Sequence, residues 1–332
     1  MVWNNLVPAS PIIKFQIPHT FEDCFMRNLF GSILIVFLLS LLTPGQQVPD
    51  PDFNPPISQP AYKAPSGPVV LIDEAHFNFH TAGGRYKPFA ELLRRDGYVV
   101  TPSTSAFTKD SLRIGRVLVI ANALSEQNRG NWSLPTPSAF SQSEIAAVRE
   151  WVMGGGSLLL IVDHMPMPGA AGDLAAAFGI KFSNGYAMDQ AGQGGPIIFK
   201  RSDGLLRDHA ITNGRNAAER VDSVASFTGS AFQIPEGSRP LLVLGQTVSS
   251  LLPTVAGQFD QNTPRIPVSG WSQGATLRVG KGRVAVFGEA AMFSAQLAGP
   301  DRRPMGMNAP VARQNSQFLL NVLHWLTGLL GD

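Results

Sequence analysis

Between residues 68 and 162 the chain alternates continuous apolar runs with helical patterns, and this alternation restricts the fold more than any other feature. Pro68–Asp73, Tyr98–Val100, Arg116–Ala121 and Ser157–Val162 read as buried strands, because unbroken Val, Ile and Leu runs suit strands covered on both faces. After the first run, Arg85–Asp96 sets Phe89, Leu92 and Leu93 on one helical face and stops at Gly97. Before the fourth, Ser141-Gln142-Ser143-Glu144 is a capping-box pattern. It opens a helix through Ile145, Val148, Trp151 and Val152 that ends at Gly154-Gly155-Gly156. Strand–helix alternation with short connections predicts an α/β fold on a doubly wound parallel sheet.

After residue 180 the rhythm changes. Residues 183–270 are rich in Gly, Ser, Asn and Pro, which predicts a β-rich or irregular insertion. Ala275–Val279 and Arg283–Phe287 flank Gly280-Lys281-Gly282 and read as a β-hairpin. Ser316–Leu326 reads as an amphipathic closing helix.

Upstream, the apolar run Leu29–Leu42 follows Arg27 and precedes Thr43-Pro44-Gly45, the layout of a signal peptide cut after Gly45. The run is shorter than the roughly 20 apolar residues of a membrane helix. The expected organisation is an extension over 1–25 ahead of Met26 from a mis-assigned start, a signal peptide over 26–45, a Pro-rich linker over 46–67 with no core of its own, and an α/β domain over 68–332. The expected location is secreted or periplasmic, with membrane attachment only through an uncleaved signal segment. Cys24, the single cysteine, lies upstream of the cut, so the exported chain has no thiol nucleophile and no disulfide. A formal net charge of +2 without a long basic run gives no electrostatic case for nucleic acid.

Open parallel sheets bind ligands outside the carboxyl ends of their strands. Asp73-Glu74-Ala75-His76-Phe77-Asn78-Phe79-His80 follows the first strand, Asp163-His164 the fourth, and Glu289 the run Arg283–Gly288. Asp73, Glu74, His76, Asp163, His164 and Glu289 are therefore the candidate acid–base groups, and Asn78, His80, Asn308 and Asn315 the candidate ligand contacts. His76, His80 and His164 form a candidate ligand set for a divalent metal. The competing structural reading has these side chains capping helices and bridging strand ends. Met292, Phe293, Met305 and Met307 are candidates for a pocket floor, with apolar packing as the alternative. Asp73-Glu74-Ala75-His76 is no helicase box, since no phosphate loop accompanies it. Gly270-Trp271-Ser272-Gln273-Gly274 matches the serine-hydrolase elbow in letters but lacks the strand before it and the helix after it.

Several segments together resemble a known family. Gly154-Gly155-Gly156 leading through a strand to Asp163-His164 is similar to a passage of ThuA-like (trehalose-utilisation) proteins, which belong to the class I glutamine amidotransferase-like superfamily. His209-Ala210-Ile211-Thr212-Asn213-Gly214 resembles their His-Pro-Ile-x-x-Gly segment, with Ala in place of Pro. Gly280-Lys281-Gly282-Arg283-Val284 and a closing helix with Asn321 and Trp325 resemble their C-terminal region. Asp-Glu-x-His-x-Asn-x-His, Asp-His and Phe-Gly-Glu-Ala-Ala-Met-Phe together look closer to an exported bacterial branch. The resemblance implies a flavodoxin-like sheet. Where glutaminases carry a cysteine, this chain has Asp163 and His164, so thiol-based glutamine hydrolysis is excluded. The leading expectation is a thiol-free domain binding a small polar ligand, a carbohydrate by analogy. The alternatives are a metal-assisted hydrolase with His and Asp ligands, and a non-catalytic envelope scaffold.

Overall fold

The computed structural model describes residues 47–192 and 194–331, so the readings of 1–25 and 26–45 lie outside the described residues. The four apolar runs form strands β1 (Val69–Asp73), β2 (Val99–Ser103), β3 (Val117–Ala121) and β4 (Ser157–Ile161). Later strands are β5 (Lys181–Phe182), β6 (Phe232–Gln233), β7 (Arg239–Val243), β8 (Ser272–Val279) and β9 (Gly282–Phe287). One nine-stranded sheet runs in the order β2-β1-β3-β4-β9-β8-β6-β5, with β7 also on β8. Pairing is parallel from β2 to β9 and antiparallel beyond it. The result is a mixed α/β fold around one large central sheet.

Two differences from the sequence reading have clear physical causes. Gly282–Phe287 pairs with β8 as expected, but its other edge pairs in parallel with β4, with Val286 opposite Leu160. It is therefore a central strand and is buried throughout. The second strand extends past Val100 through Thr101, Pro102 and Ser103. It is the terminal strand of the sheet, where a proline without an N–H is tolerated.

Side chains alternate across the sheet, which gives two cores. Val70, Ile72, Val117, Val119, Leu159, Ile161, Ala285 and Phe287 face the side covered by α1 (Lys87–Arg95) and α3 (Asn315–Thr327). Leu71, Leu118, Ile120, Leu158, Leu160, Val284 and Val286 face α2 (Gln142–Met153). Both capping-box bonds form at the start of α2: Ser141 Oγ accepts from Glu144 N, and Glu144 Oε2 accepts from Ser141 N at 3.0 Å. The closing helix is not amphipathic in the surface sense, since every residue from Phe318 to Leu326 is buried. Its polar Asn321 is accommodated by donating to the carbonyls of Ile211 and Glu219, both at 2.8 Å.

The insertion is β-rich. Tyr186–Asp189, Val248–Leu251 and Arg265–Pro267 form a three-stranded sheet, and Ile197–Lys200 pairs with Ser223–Ser226. The Pro-rich segment read as a linker is extended, yet it contributes to the core. Phe53, Ile57 and Tyr62 pack against buried residues, and Gln47–Pro49 pairs antiparallel with Ala295–Ala298. Among the described residues no helix is long and apolar enough to cross a membrane.

Candidate functional site

Strand ends place their polar residues on one rim, but only some of those residues reach a common cavity. That cavity, of about 90 Å³, is bordered by His80, Asp163 and His164 together with Phe79, Asn122, Trp132, Met167, Thr228, Ala291, Gln296, Met305 and Gln47. A water molecule's share of liquid volume is about 30 Å³, so the enclosed part holds a fragment of a few heavy atoms.

Asn122 organises the rim. It directly follows β3 and holds φ at +53°, a left-handed conformation that asparagine tolerates better than most residues. Its Oδ1 accepts the backbone N–H of Asp163 at 2.8 Å, which fixes the amide orientation. Its Nδ2 therefore faces His80 Nδ1, at 3.2 Å, and donates to it. In a neutral imidazole this leaves the proton on Nε2. Burial, then the charges of Arg85 and His164, push His80 down to about 3, so the ring is neutral near pH 7. His80 is 2% exposed, and among the described residues its Nε2 has no hydrogen-bond partner. A buried N–H left unpaired costs about 1–3 kcal/mol.

His164 pairs its Nδ1 with the Met165 carbonyl at 2.8 Å, so Nδ1 carries a proton and Nε2 is left for the cavity. Its ring stacks on Tyr186 with centroids 4.2 Å apart. Asp163 Oδ1 accepts from His164 N at 2.8 Å, and Oδ2 lies 3.4 Å from the N–H of Ala290. Gln296 is a buried second orphan. Its Nε2 donates to Ser294 Oγ at 2.7 Å, which in turn donates to the Ala291 carbonyl at 3.0 Å. Gln296 Oε1 is left without a partner.

Other candidates belong to the scaffold. His76 lies outside the cavity, between two carboxylates: Nδ1 is 2.9 Å from both oxygens of Asp73, and Nε2 is 2.9 Å from Glu144 Oε1. Burial pulls its proton affinity down, but the hydrogen bonds and charges of Asp73 and Glu144 more than offset this and hold it above the usual histidine range. Both ring nitrogens are thus engaged by carboxylates, and His76 does not border the cavity that His80, Asp163 and His164 share. Asp73 is fully buried and also accepts from Asn78 Nδ2 at 2.9 Å, which braces the loop, and neither residue borders the cavity. Glu74 accepts from Ala82 N at 2.7 Å and ties the same loop.

Glu289 sits behind the cavity. Its oxygens cap the turn at Ala291 and Met292, at 2.6 and 2.7 Å. Burial first, and then the charge of Asp163, hold its carboxyl well above the usual carboxylate range. Asn308 donates to Asp50 and to the Gln296 carbonyl, and Asn315 bridges Ala225 and Met292; neither borders the cavity. Of the four apolar floor candidates, Met305 reaches the cavity. The proposed trio His76, His80 and His164 does not assemble, and among the described residues no group of three His, Cys, Asp or Glu side chains is arranged to hold a metal. Ser272 of the elbow-like motif opens β8 with no helix after it, as expected of a chance match.

Phe79 lies within the stretch 73–80 expected to line a crevice, whereas Asn122, Trp132, Gln296 and Gln47 were not among the sequence candidates. Asn122 was recoverable, as the polar residue immediately after a buried strand. Gln296 and Gln47 arrive from distant segments and carry no local signal.

The tautomer assignment is open to test. Asn122→Asp keeps the acceptor for Asp163 N but replaces the donor facing His80 Nδ1 with an acceptor. His80 is then expected to titrate well above its starting value of about 3, read by imidazole NMR. An unchanged midpoint would reject the Asn122–His80 hydrogen bond.

No protein-family model matches the sequence, and no curated protein matches it. Among solved structures, the mmIFT52 N-terminal domain is similar at 14% identity and a TM-score of 0.56, covering 79% of this chain and 98% of that one. A ThuA-like protein from Bacteroides uniformis ATCC 8492 is similar at 14% identity and a TM-score of 0.47, over 82% and 95% of the two chains. A cytoplasmic protein from Salmonella typhimurium is similar at 15% identity and a TM-score of 0.45, over 78% and 98%. At these identities a likeness extends to the fold alone: the chain shares a mixed α/β architecture with the mmIFT52 N-terminal domain, and ThuA-like proteins are among the similar structures.

Proposed function

We propose that this chain is an exported, thiol-free relative of the class I glutamine amidotransferase-like superfamily that binds a small polar ligand, a carbohydrate, at the carboxyl ends of its parallel strands. The order β2-β1-β3-β4 supports the flavodoxin-like part of this reading. One observation carries the binding role. His80 Nε2 and Gln296 Oε1 are buried without partners, and both residues border one cavity that Asp163 and His164 also line. Most buried polar atoms are paired, so two orphans of opposite kind on one cavity support a ligand there. Phe79 and Trp132 add ring surface beside the polar groups, a combination suited to sugar C–H faces and hydroxyls.

A thermal-shift screen of sugars and other small polar compounds tests the proposal. A ligand at a hundredfold over its Kd is expected to stabilise the fold by about 2.7 kcal/mol and raise Tm by roughly 5 °C. His80→Phe and His164→Ala should each remove that response. A folded protein that responds to none of the compounds, with melting unaltered by either substitution, would argue for the scaffold.

One feature favours a second, hydrolytic reading. His164 has its tautomer set by Met165 and presents Nε2 as a proton acceptor beside Asp163. Hydrolysis of chromogenic glycosides or esters, abolished in His164→Ala, would convert the binding site into an active site.

A further inference from the structure

The two unpartnered atoms differ in kind, and the difference restricts what can satisfy them. His80 Nε2 offers a proton, because Asn122 already donates to Nδ1. Gln296 Oε1 offers only lone pairs, because the Ser294 hydroxyl is committed to a carbonyl and takes the Gln296 N–H. Asp163 and His164 Nε2 add further acceptors. Among the described residues no Lys or Arg borders the cavity, and Arg85 instead lies 3.7 Å above the centroid of the Phe79 ring.

A hydroxyl both accepts and donates, so it can take the His80 proton and give its own to Gln296 or Asp163. A carboxylate or phosphate could accept from His80, but would bring like charge to Asp163 and no proton for Gln296. An ammonium could donate to the oxygens, but would meet the His80 N–H head-on. With one donor and several acceptors spread over the lining, a single hydroxyl leaves acceptors unmet, and a second on the next carbon supplies another proton.

We infer that the cavity selects a neutral fragment with adjacent hydroxyls, such as one edge of an uncharged sugar, and discriminates against anionic and cationic counterparts of the same skeleton. This inference rests on the ligand-binding reading above and adds to it the charge class of the ligand. Sugar phosphates, uronates and amino-acid carboxylates are thereby disfavoured.

Glycerol, glycerate and serinol share a three-carbon skeleton and differ in charge, and the cavity has room for fragments of that size. Titrating each into the full folded protein, with histidine side chains followed by ¹H–¹⁵N NMR, reports directly on His80 Nε2. Glycerol is expected to shift that resonance and to bind at least tenfold tighter than glycerate or protonated serinol. Gln296→Met keeps side-chain length without the acceptor and is expected to weaken glycerol about tenfold, while leaving the free-state histidine spectrum unchanged. Glycerate or serinol binding as tightly as glycerol would overturn the charge selectivity and leave the site standing. If none of the three perturbs His80 or His164, the site reading falls along with the inference.

Discussion

Asp96→Ala is expected to lower the unfolding free energy by about 3–5 kcal/mol, the usual cost of removing one partner from a buried polar pair. Asp96 closes α1 and His324 lies within α3, and both are 0% exposed. His324 Nε2 meets Asp96 Oδ2 at 2.7 Å, while Oδ1 accepts the backbone N–H of Ala61 at 2.8 Å. One carboxylate thus links the first helix, the last helix and the Pro-rich segment. Truncation strands the buried His324 N–H and the partly buried Ala61 N–H, and among the described residues His324 Nδ1 already lacks a partner. Asp96→Asn keeps one acceptor oxygen and is expected to cost less, about 1–2 kcal/mol. Urea denaturation followed by far-ultraviolet circular dichroism measures both. Equal losses for the two variants would show that the acceptor oxygens are not what the site depends on.

The parts of the fold that were legible in the sequence are those whose signal is local. The runs over Val69–Ile72, Val117–Ala121 and Ser157–Ile161 are buried on both faces, and such strands need no alternation to be recognised. Ser141 and Glu144 form the predicted capping box because both partners lie within one turn. Gly282–Phe287 was legible as a hairpin arm but not as a fifth parallel strand. That role comes from pairing with residues more than a hundred positions earlier.

The site shows the same division. The strand-end rule pointed to the stretch Asp73–His80, yet it could not say which of two histidines four residues apart enters the cavity. Glu144, 68 residues beyond His76, captures one of them, and Asn122, 42 residues beyond His80, orients the other. The Pro-rich segment read as a tether because its apolar residues are sparse. Phe53, Ile57 and Tyr62 are nevertheless enough to seat it on the core.

The capture of His76 leads to a pH-dependent stability with a definite sign. A neutral imidazole has one N–H, whereas Asp73 and Glu144 each present an acceptor to a different ring nitrogen, so only the protonated ring satisfies both. That arrangement raises the native-state proton affinity of His76 above its ordinary value near 6.5, overcoming the opposing effect of burial. The native state then holds this proton more tightly than the unfolded chain. The resulting stability is fully present below about pH 6.5 and is lost as pH climbs through the native value.

Glu144 sets the acid side of the window. Burial alone would raise its pKa, but hydrogen bonds from Ser141, His76 and Phe107 hold it down at about 2. Its contribution is therefore present above the ordinary glutamate value, about 4.3, and fades as pH falls toward the native one. Between those limits the clamp is at full strength. His76→Phe keeps a ring between Phe107 and Phe140, whose centroids lie 4.7 and 4.6 Å from that of the imidazole, so little packing is lost. It strips the cation from two carboxylates, one of them fully buried, and is expected to cost about 3 kcal/mol near pH 6. As pH climbs above about 6.5 and through the raised native value, the wild-type protein gives up the proton, and the gap between the two proteins should narrow. Guanidinium denaturation of both proteins at a series of pH values from 6 upward measures this, and a gap that never narrows as pH rises would mean that His76 does not release a stabilising proton.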